Sequence, residues 1–222
     1  MMMKYNENGR SMVEMLGVLA IIGVLSVGGI AGYSKAMNKY KINKTTDQVS
    51  MLVANIRTLF SSQGNYKGLT NAQAIKFGVV PNDMYTPKSG NAEITEITNA
   101  FGGAVTIAAS GGRAKDDNEA FTIAYSGLTS EACITIATGD WGSGQASGLI
   151  GIAAVGKEAE DATDKGALAK LAEIYTTATD GTANVSIPGA TDTANRTPMT
   201  VSKAVGICNG SGSTNSVAWK YY

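Results

Sequence analysis

Glu14 is the only ionisable residue in the apolar run Met12–Ile30, MVEMLGVLAIIGVLSVGGI. A carboxylate inside such a span costs about 2 to 3 kcal/mol on insertion scales, so its presence points to a role. The other side chains with distinctive chemistry are Cys133 and Cys208, the only two thiols in 222 residues. Histidine is absent, which removes the usual general base near neutral pH and the commonest zinc ligand. Two isolated cysteines lack the spacing of a zinc module, and Asp116-Asp117-Asn118-Glu119 lacks the calcium-loop pattern, so no metal site is expected. The glycine-rich Gly142–Gly151 has no adjoining Gly-Lys-Ser or Gly-Lys-Thr and is not a phosphate loop. With no nucleophile and base in view, neither enzymatic catalysis nor a cofactor is expected.

Lysine plus arginine number 18, as do aspartate plus glutamate, so there is no basic excess to attract nucleic acid and none is expected as a partner. The length suits one sizeable domain plus an appendage. As a helix, Met12–Ile30 spans about 28 Å against a bilayer core of about 30 Å, long enough to cross a membrane. A secretory signal peptide would carry a shorter apolar region followed by a small-residue cleavage site. A plain single-span anchor leaves Glu14 without a purpose.

The stretch Gly9-Arg10-Ser11-Met12-Val13-Glu14, followed by the apolar run, resembles the type IV prepilin signature, a short polar leader ending in glycine with glutamate fifth in the mature chain. The resemblance implies that prepilin peptidase cuts after Gly9 on the cytoplasmic side. Arg10 then becomes an N-methylated first residue, where the family usually has phenylalanine or methionine. It also implies that Glu14 neutralises the new amine of a neighbouring subunit where water is scarce, fixing register in a helical filament. Gly28 and Gly32 give the small-xxx-small spacing that lets helices approach closely. Glycine-rich and free of proline, the span is more similar to the type IVb group and the PilS pilins of conjugative thin pili. Lys4 and Arg10 precede it while Lys35, Lys39, Lys41 and Lys44 follow, so the positive-inside rule favours the orientation opposite to the one the signature implies. In a filament those lysines would meet acids of neighbouring heads.

Tyr33, Met37, Tyr40, Val49, Leu52, Ile56 and Leu59 or Phe60 recur at three- and four-residue spacings, with a lapse around Lys44 and Thr45. This predicts an amphipathic continuation of the helix under a sheet. Thr70-Asn71-Ala72-Gln73 fits a capping box opening a short helix through about Phe77. Ala104–Ala109 and Ala120–Tyr125 read as strands of a hairpin around Gly111–Asn118. The segment Phe121–Thr129 then passes a glycine-leucine turn into a helix with Glu131 and Cys133, which again resembles the type IVb head. Gly148–Val155 reads as a strand, Glu158–Tyr175 as a helix, Thr197-Pro198 as a helix start running toward Cys208, and Ser216–Tyr222 as the closing strand.

These elements make an α+β chain of the type IV pilin fold, a long N-terminal helix packed on an antiparallel sheet in a globular head. The expected parts are a leader (1–9), a transmembrane assembly helix (10–32), an amphipathic helix (33–60) and the head (61–222). In an exported head, Cys133 and Cys208 form a disulfide whose loop contributes roughly 4 to 5 kcal/mol in the chain-entropy description; buried free thiols are the alternative. The leading function is a structural subunit of a type IV pilus supporting adhesion, aggregation or conjugation. Its partners are copies of itself, the peptidase, an inner-membrane assembly platform and the inner membrane, with the precursor in that membrane and the pilus extracellular. A minor pilin or type II secretion pseudopilin is the near alternative, and a single-span anchored binding protein is the alternative of another class.

Overall fold

The computed structural model describes residues 12–86, 94, 96–115, 117–142, 147–156, 171, 174, 184–210, 212 and 214–222. The chain divides into two units, one ending at Tyr40 and one from Lys41 to Tyr222.

Helix α1, Met12–Phe60, is 49 residues long, with Glu14 in its first turn and Arg57 in its last, the charge placement that complements the helix dipole. No proline interrupts it. From Ile42 onward it buries one face made of Ile42, Thr45, Gln48, Val49, Leu52, Val53, Ile56 and Phe60, at three- and four-residue spacings. The expected stripe is corrected at its upper end: Tyr33 and Tyr40 are 67% and 58% exposed. The apparent lapse is instead the start of the buried face. Lys44 Nζ lies 2.8 Å from Asp83, and Gln48 Nε2 donates to the same carboxylate at 3.4 Å. The Lys44 contact holds the Asp83 carboxyl below its ordinary range. Polar residues are therefore buried where the helix meets the 3-10 turn Asn82–Met84.

Helix α2, Asn71–Lys76, starts as its sequence predicts, with the Thr70 hydroxyl accepting from the Gln73 amide. Asn71 then pins it to a strand, donating to the Val105 carbonyl at 2.9 Å and accepting from the Ile107 amide at 2.7 Å. The sheet has six strands: β1 Ile97–Thr98, β2 Ala104–Ser110, β3 Ala120–Leu128, β4 Leu149–Val155, β5 Val185–Ser186 and β6 Asn215–Tyr221. Their order is β1-β2-β3-β6-β4-β5, with every pairing antiparallel. Between β3 and β4 comes α3, Ser130–Ala137, capped by Thr129, and before β6 comes α4, Val201–Ile207.

Strand alternation builds two apolar layers. Phe121, Ile123 and Tyr125 of β3 and Val217, Trp219 and Tyr221 of β6 join Val49, Leu52 and Ile56 of α1 in the main core. Ala120, Ala124 and Ala218 belong to a second cluster with Ile150, Ala153, Val185 and Leu171. Tyr125 and Trp141 both meet the Trp219 ring edge-on, at 5.7 and 4.9 Å between centroids.

Two sequence readings shift. Strand β3 continues past Tyr125 through a bulge to Leu128, and Gly127, at φ +68°, supplies the left-handed residue that the irregularity needs. Helix α4 begins at Val201 with Thr200 as its cap rather than at Thr197-Pro198. Thr200 Oγ1 accepts from the Lys203 amide, whereas the buried Thr197 hydroxyl accepts from none and the Thr197 amide pairs with the Ile187 carbonyl. The helix expected over Glu158–Tyr175 lies outside the described residues, apart from Leu171 and Ile174.

Lys220 is fully buried on the second face, where its ammonium donates to the Leu171 and Ile174 carbonyls at 3.1 and 2.6 Å. Burial pushes it down to about 8, against an unfolded value near 10.4. Between those values the unfolded chain binds more protons, so stability rises with pH. Burial raises Tyr125, and takes Tyr221 up to about 12, so the unfolded chain ionises these phenols first above pH ~10 and stability then falls. Urea unfolding of the full chain should show stability climbing by up to ~3 kcal/mol from pH ~8 to a maximum near pH ~10. Lys220→Met should flatten the climbing limb, leaving the smaller part that burial of Lys203 contributes, and keep the fall.

Candidate functional site

The sequence-derived site residues fall on two features. The first is the upper part of α1, where the apolar residues Met12 to Ile30 are exposed and none of the most apolar 18-residue window is buried. Glu14 sits exposed in the first turn of this segment, in a helix long and apolar enough to cross a membrane. A Cβ added at Gly28 or Gly32 meets nothing within 4 Å. The small size of these glycines therefore serves no contact within the described chain. Gly9 and Arg10 lie outside the described residues.

The second feature is the disulfide between Cys133 of α3 and Cys208 at the end of α4, with Cα atoms 5.8 Å apart and both side chains buried. It closes over 75 residues of sequence that include β4, β5 and the body of α4. Polar side chains fix the same junction. Asn215 donates to the Leu128 carbonyl at 3.2 Å and accepts from the Gly210 amide at 3.0 Å, while Ser130 Oγ donates to the Gly210 carbonyl at 2.9 Å. The Lys203 ammonium ties α4 to β5 by donating to the Val185 carbonyl at 2.8 Å and to Asn195 Oδ1 at 2.7 Å.

Sequence reasoning passed over this polar bracing. Neither Asn215 nor Lys203 is among the residues that the sequence singles out. Their only advance signal was position, each a few residues from Cys208.

A hollow of about 240 Å³ at the lower end of α1 is lined by Arg57, Tyr66, Glu119 and Tyr222 among others. Arg57 donates to the Tyr222 carbonyl at 3.1 Å and stacks 5.1 Å from the Tyr221 ring, so the guanidinium is engaged in holding the helix end to β6. In the adjoining hairpin turn, the Asp117 carboxylate accepts from the amides of Gly112, Arg113, Ala114 and Glu119, and these bonds hold its carboxyl below the usual range. Among the described residues, no group of three or more histidine, cysteine or acidic side chains converges as a metal site. The chemistry available at α1 is that of one carboxylate on an exposed apolar helix, and at the head that of a cross-link.

Residues 39–187 match the PilS N-terminal family. The toxin coregulated pilin of Vibrio cholerae serotype O1 is 27% identical over 135 residues, which is 61% of this chain and 58% of that protein. The major structural subunit of the bundle-forming pilus of Escherichia coli O127:H6 is 27% identical over 139 residues, 62% of this chain and 67% of that one. The chain thus spans less than two thirds of the first of these relatives. Among solved structures, TcpA, a type IV pilin from the El Tor biotype of Vibrio cholerae, superposes with a TM-score of 0.55 at 22% identity, covering 82% of this chain and 99% of that one. A type IV b pilin from Salmonella typhi gives a TM-score of 0.51 at 18% identity, with 81% and 97% covered. At these identities the likeness is one of fold, the α+β arrangement of a long helix on an antiparallel sheet.

The cross-link can be tested directly. Chain entropy alone gives ~4 kcal/mol for a loop of this size, with measured removals of native disulfides at ~2 to 5 kcal/mol. Cys133→Ala/Cys208→Ala should lower the urea midpoint of the full chain accordingly. The unaltered protein should migrate differently on reducing and nonreducing gels.

Proposed function

As the chain belongs to the PilS N-terminal family and is type IVb pilin-like, we propose that it is a structural, non-enzymatic subunit of a bacterial type IV pilus. The supporting observation is an exposed apolar helix carrying one acid, continuous in sequence with a pilin-fold head. In water such a surface is unstable, at ~25 cal/mol per Å² of apolar area. It calls for either lipid or copies of itself.

The subunit first resides in the inner membrane. Prepilin peptidase removes residues 1–9 after Gly9 and leaves Arg10 as the new, N-methylated terminus. Its amine is a cation at the edge of an apolar helix bundle. Glu14 of an adjoining subunit neutralises it, and the desolvation cost of each charge is offset only when both are present in register. Gly28 and Gly32 lie on a helix face with no occupant in the described chain, which suits close approach of a second helix. An inner-membrane platform extracts the subunit into an extracellular homopolymer, where the disulfide braces the exposed head. Adhesion, aggregation or conjugation then belongs to the filament. The named relatives are pilus subunits, which favours a pilus over a secretion pseudopilin.

Mass spectrometry of protein extracted from membranes should show loss of the first nine residues; a chain retaining its initiator methionine sinks this reading. Glu14→Val removes the buried-charge partner while making the span more apolar. It should leave membrane insertion intact and reduce filaments by at least ~10-fold by electron microscopy of sheared preparations, the effect of ~1.4 kcal/mol per contact or more. Normal filaments would refute the role of Glu14.

A further inference from the structure

Resting on the reading that α1 spans a membrane before assembly, we propose that Tyr33, Lys35, Lys39 and Tyr40 form an interfacial belt. The belt docks anionic phospholipid headgroups and sets the depth of the subunit in the bilayer.

Both tyrosines are strongly exposed, and at about 100° per residue they lie on the side of the helix opposite the face buried from Ile42 onward. At about 100° per residue, Tyr33 and Tyr40 share one side of the helix, and Lys35 and Lys39 lie roughly opposite. Both lysines are exposed. A helix that docks on protein carries a one-sided stripe, as α1 does from Ile42 onward. Tyrosines and lysines on opposite sides instead match a surround of lipid, where amphipathic rings sit at headgroup level and lysine stems snorkel outward.

The position along the helix agrees. From Met12 to Gly32 the helix rises about 31 Å, against a hydrocarbon core of about 30 Å, so Tyr33 is the first residue beyond it. Charge selects the lipid. Between Glu14 and Asp47 the sequence has four lysines and no acid. Lys44 is drawn to Asp83 and Lys41 lies 5.7 Å from the Phe101 ring, which leaves Lys35 and Lys39 as the exposed cations of this stretch. Each lysine near an anionic surface strengthens attachment by roughly 5-fold, so the pair supplies roughly 25-fold. The same lysines oppose the positive-inside bias, so the proposal requires anionic headgroups in the leaflet away from the cytoplasm as their countercharge.

The test uses the full chain with Ile30→Cys carrying a nitroxide, since Cys133 and Cys208 are joined to each other. It is reconstituted in phosphatidylcholine vesicles with or without 30% phosphatidylglycerol, and label depth is read from collision with oxygen and a water-soluble nickel chelate. The label should sit at a different depth in the two compositions, by up to about one helical turn, ~5 Å. High salt should abolish the difference, and so should Lys35→Gln/Lys39→Gln. Tyr33→Ala/Tyr40→Ala should move the label in both compositions, because ring anchoring needs no lipid charge. Equal depth in both vesicles for the unaltered lysines overturns the proposal. So does a lysine variant that keeps its depth response but loses filaments, which assigns the lysines to neighbouring subunits. A label open to water in every vesicle, on a chain stripped by alkaline carbonate, instead means that the spanning reading itself has failed.

Discussion

A single helix has to serve two solvents, and the rest of the molecule is arranged around where it changes from one to the other. Up to Ile30 the side chains of α1 are apolar and exposed; from Ile42 the same helix presents polar residues on one side and buries the other. In water alone the first segment is a liability, and inside a membrane the second would be, because Lys44, Asp47 and Arg57 would enter hydrocarbon. The change occurs over Tyr33–Lys41, the part richest in side chains that tolerate both settings. This fixes what the head must do. It supplies an apolar sheet face for Val49, Leu52 and Ile56, and a carboxylate, Asp83, for the half-buried Lys44.

The head meets that demand with a strand inserted between two others. Strand β6 bonds β3 on one side and β4 on the other, so its backbone is satisfied along both edges and its side chains reach both layers. Trp219 enters the main core and Lys220 the second. The lysine is an unusual resident of a sheet interior, kept there by two carbonyls that accept from its ammonium. On the other side of β6, the disulfide and Asn215 fasten the loop that delivers the strand.

Much of this was legible from residue patterns, and the misses have physical causes. The acid in the apolar run and the alternation of Val217, Trp219 and Tyr221 stand out because charge and period are local properties. The two-residue strands β1 and β5 are too short to show any period. Lys220 looks like a solvent-facing residue near an aromatic strand, since the carbonyls that receive it lie more than forty positions away in sequence. Lys44 and Thr45 read as a break in the stripe because amphipathic templates have no place for polar residues at a buried face, and the partner of Lys44, Asp83, lies on another segment. Thr197 instead extends the bridged segment beside Ile187, to which its amide donates, a pairing that local sequence does not reveal. At the candidate site, Glu14 and the cysteine pair were readable from charge and count. The exposure of Tyr33 and Tyr40 was missed because their mutual spacing is helical, while their angle to the face that starts at Ile42 places them on its opposite side.

The sheet order also carries a timetable. Strands β1, β2 and β3 are synthesised together and can pair at once, and β4 follows, but the two groups share no edge until β6 arrives from far along the chain. During that interval β3 and β4 each present an open row of amides and carbonyls to anything nearby. If the head is threaded across a membrane, as proposed, it stays in two unjoined pieces until its last described strand has emerged, and closure then falls wholly on the far side. A nascent chain stalled before Asn215 would hold the bulk of both apolar layers and none of the strand that joins them.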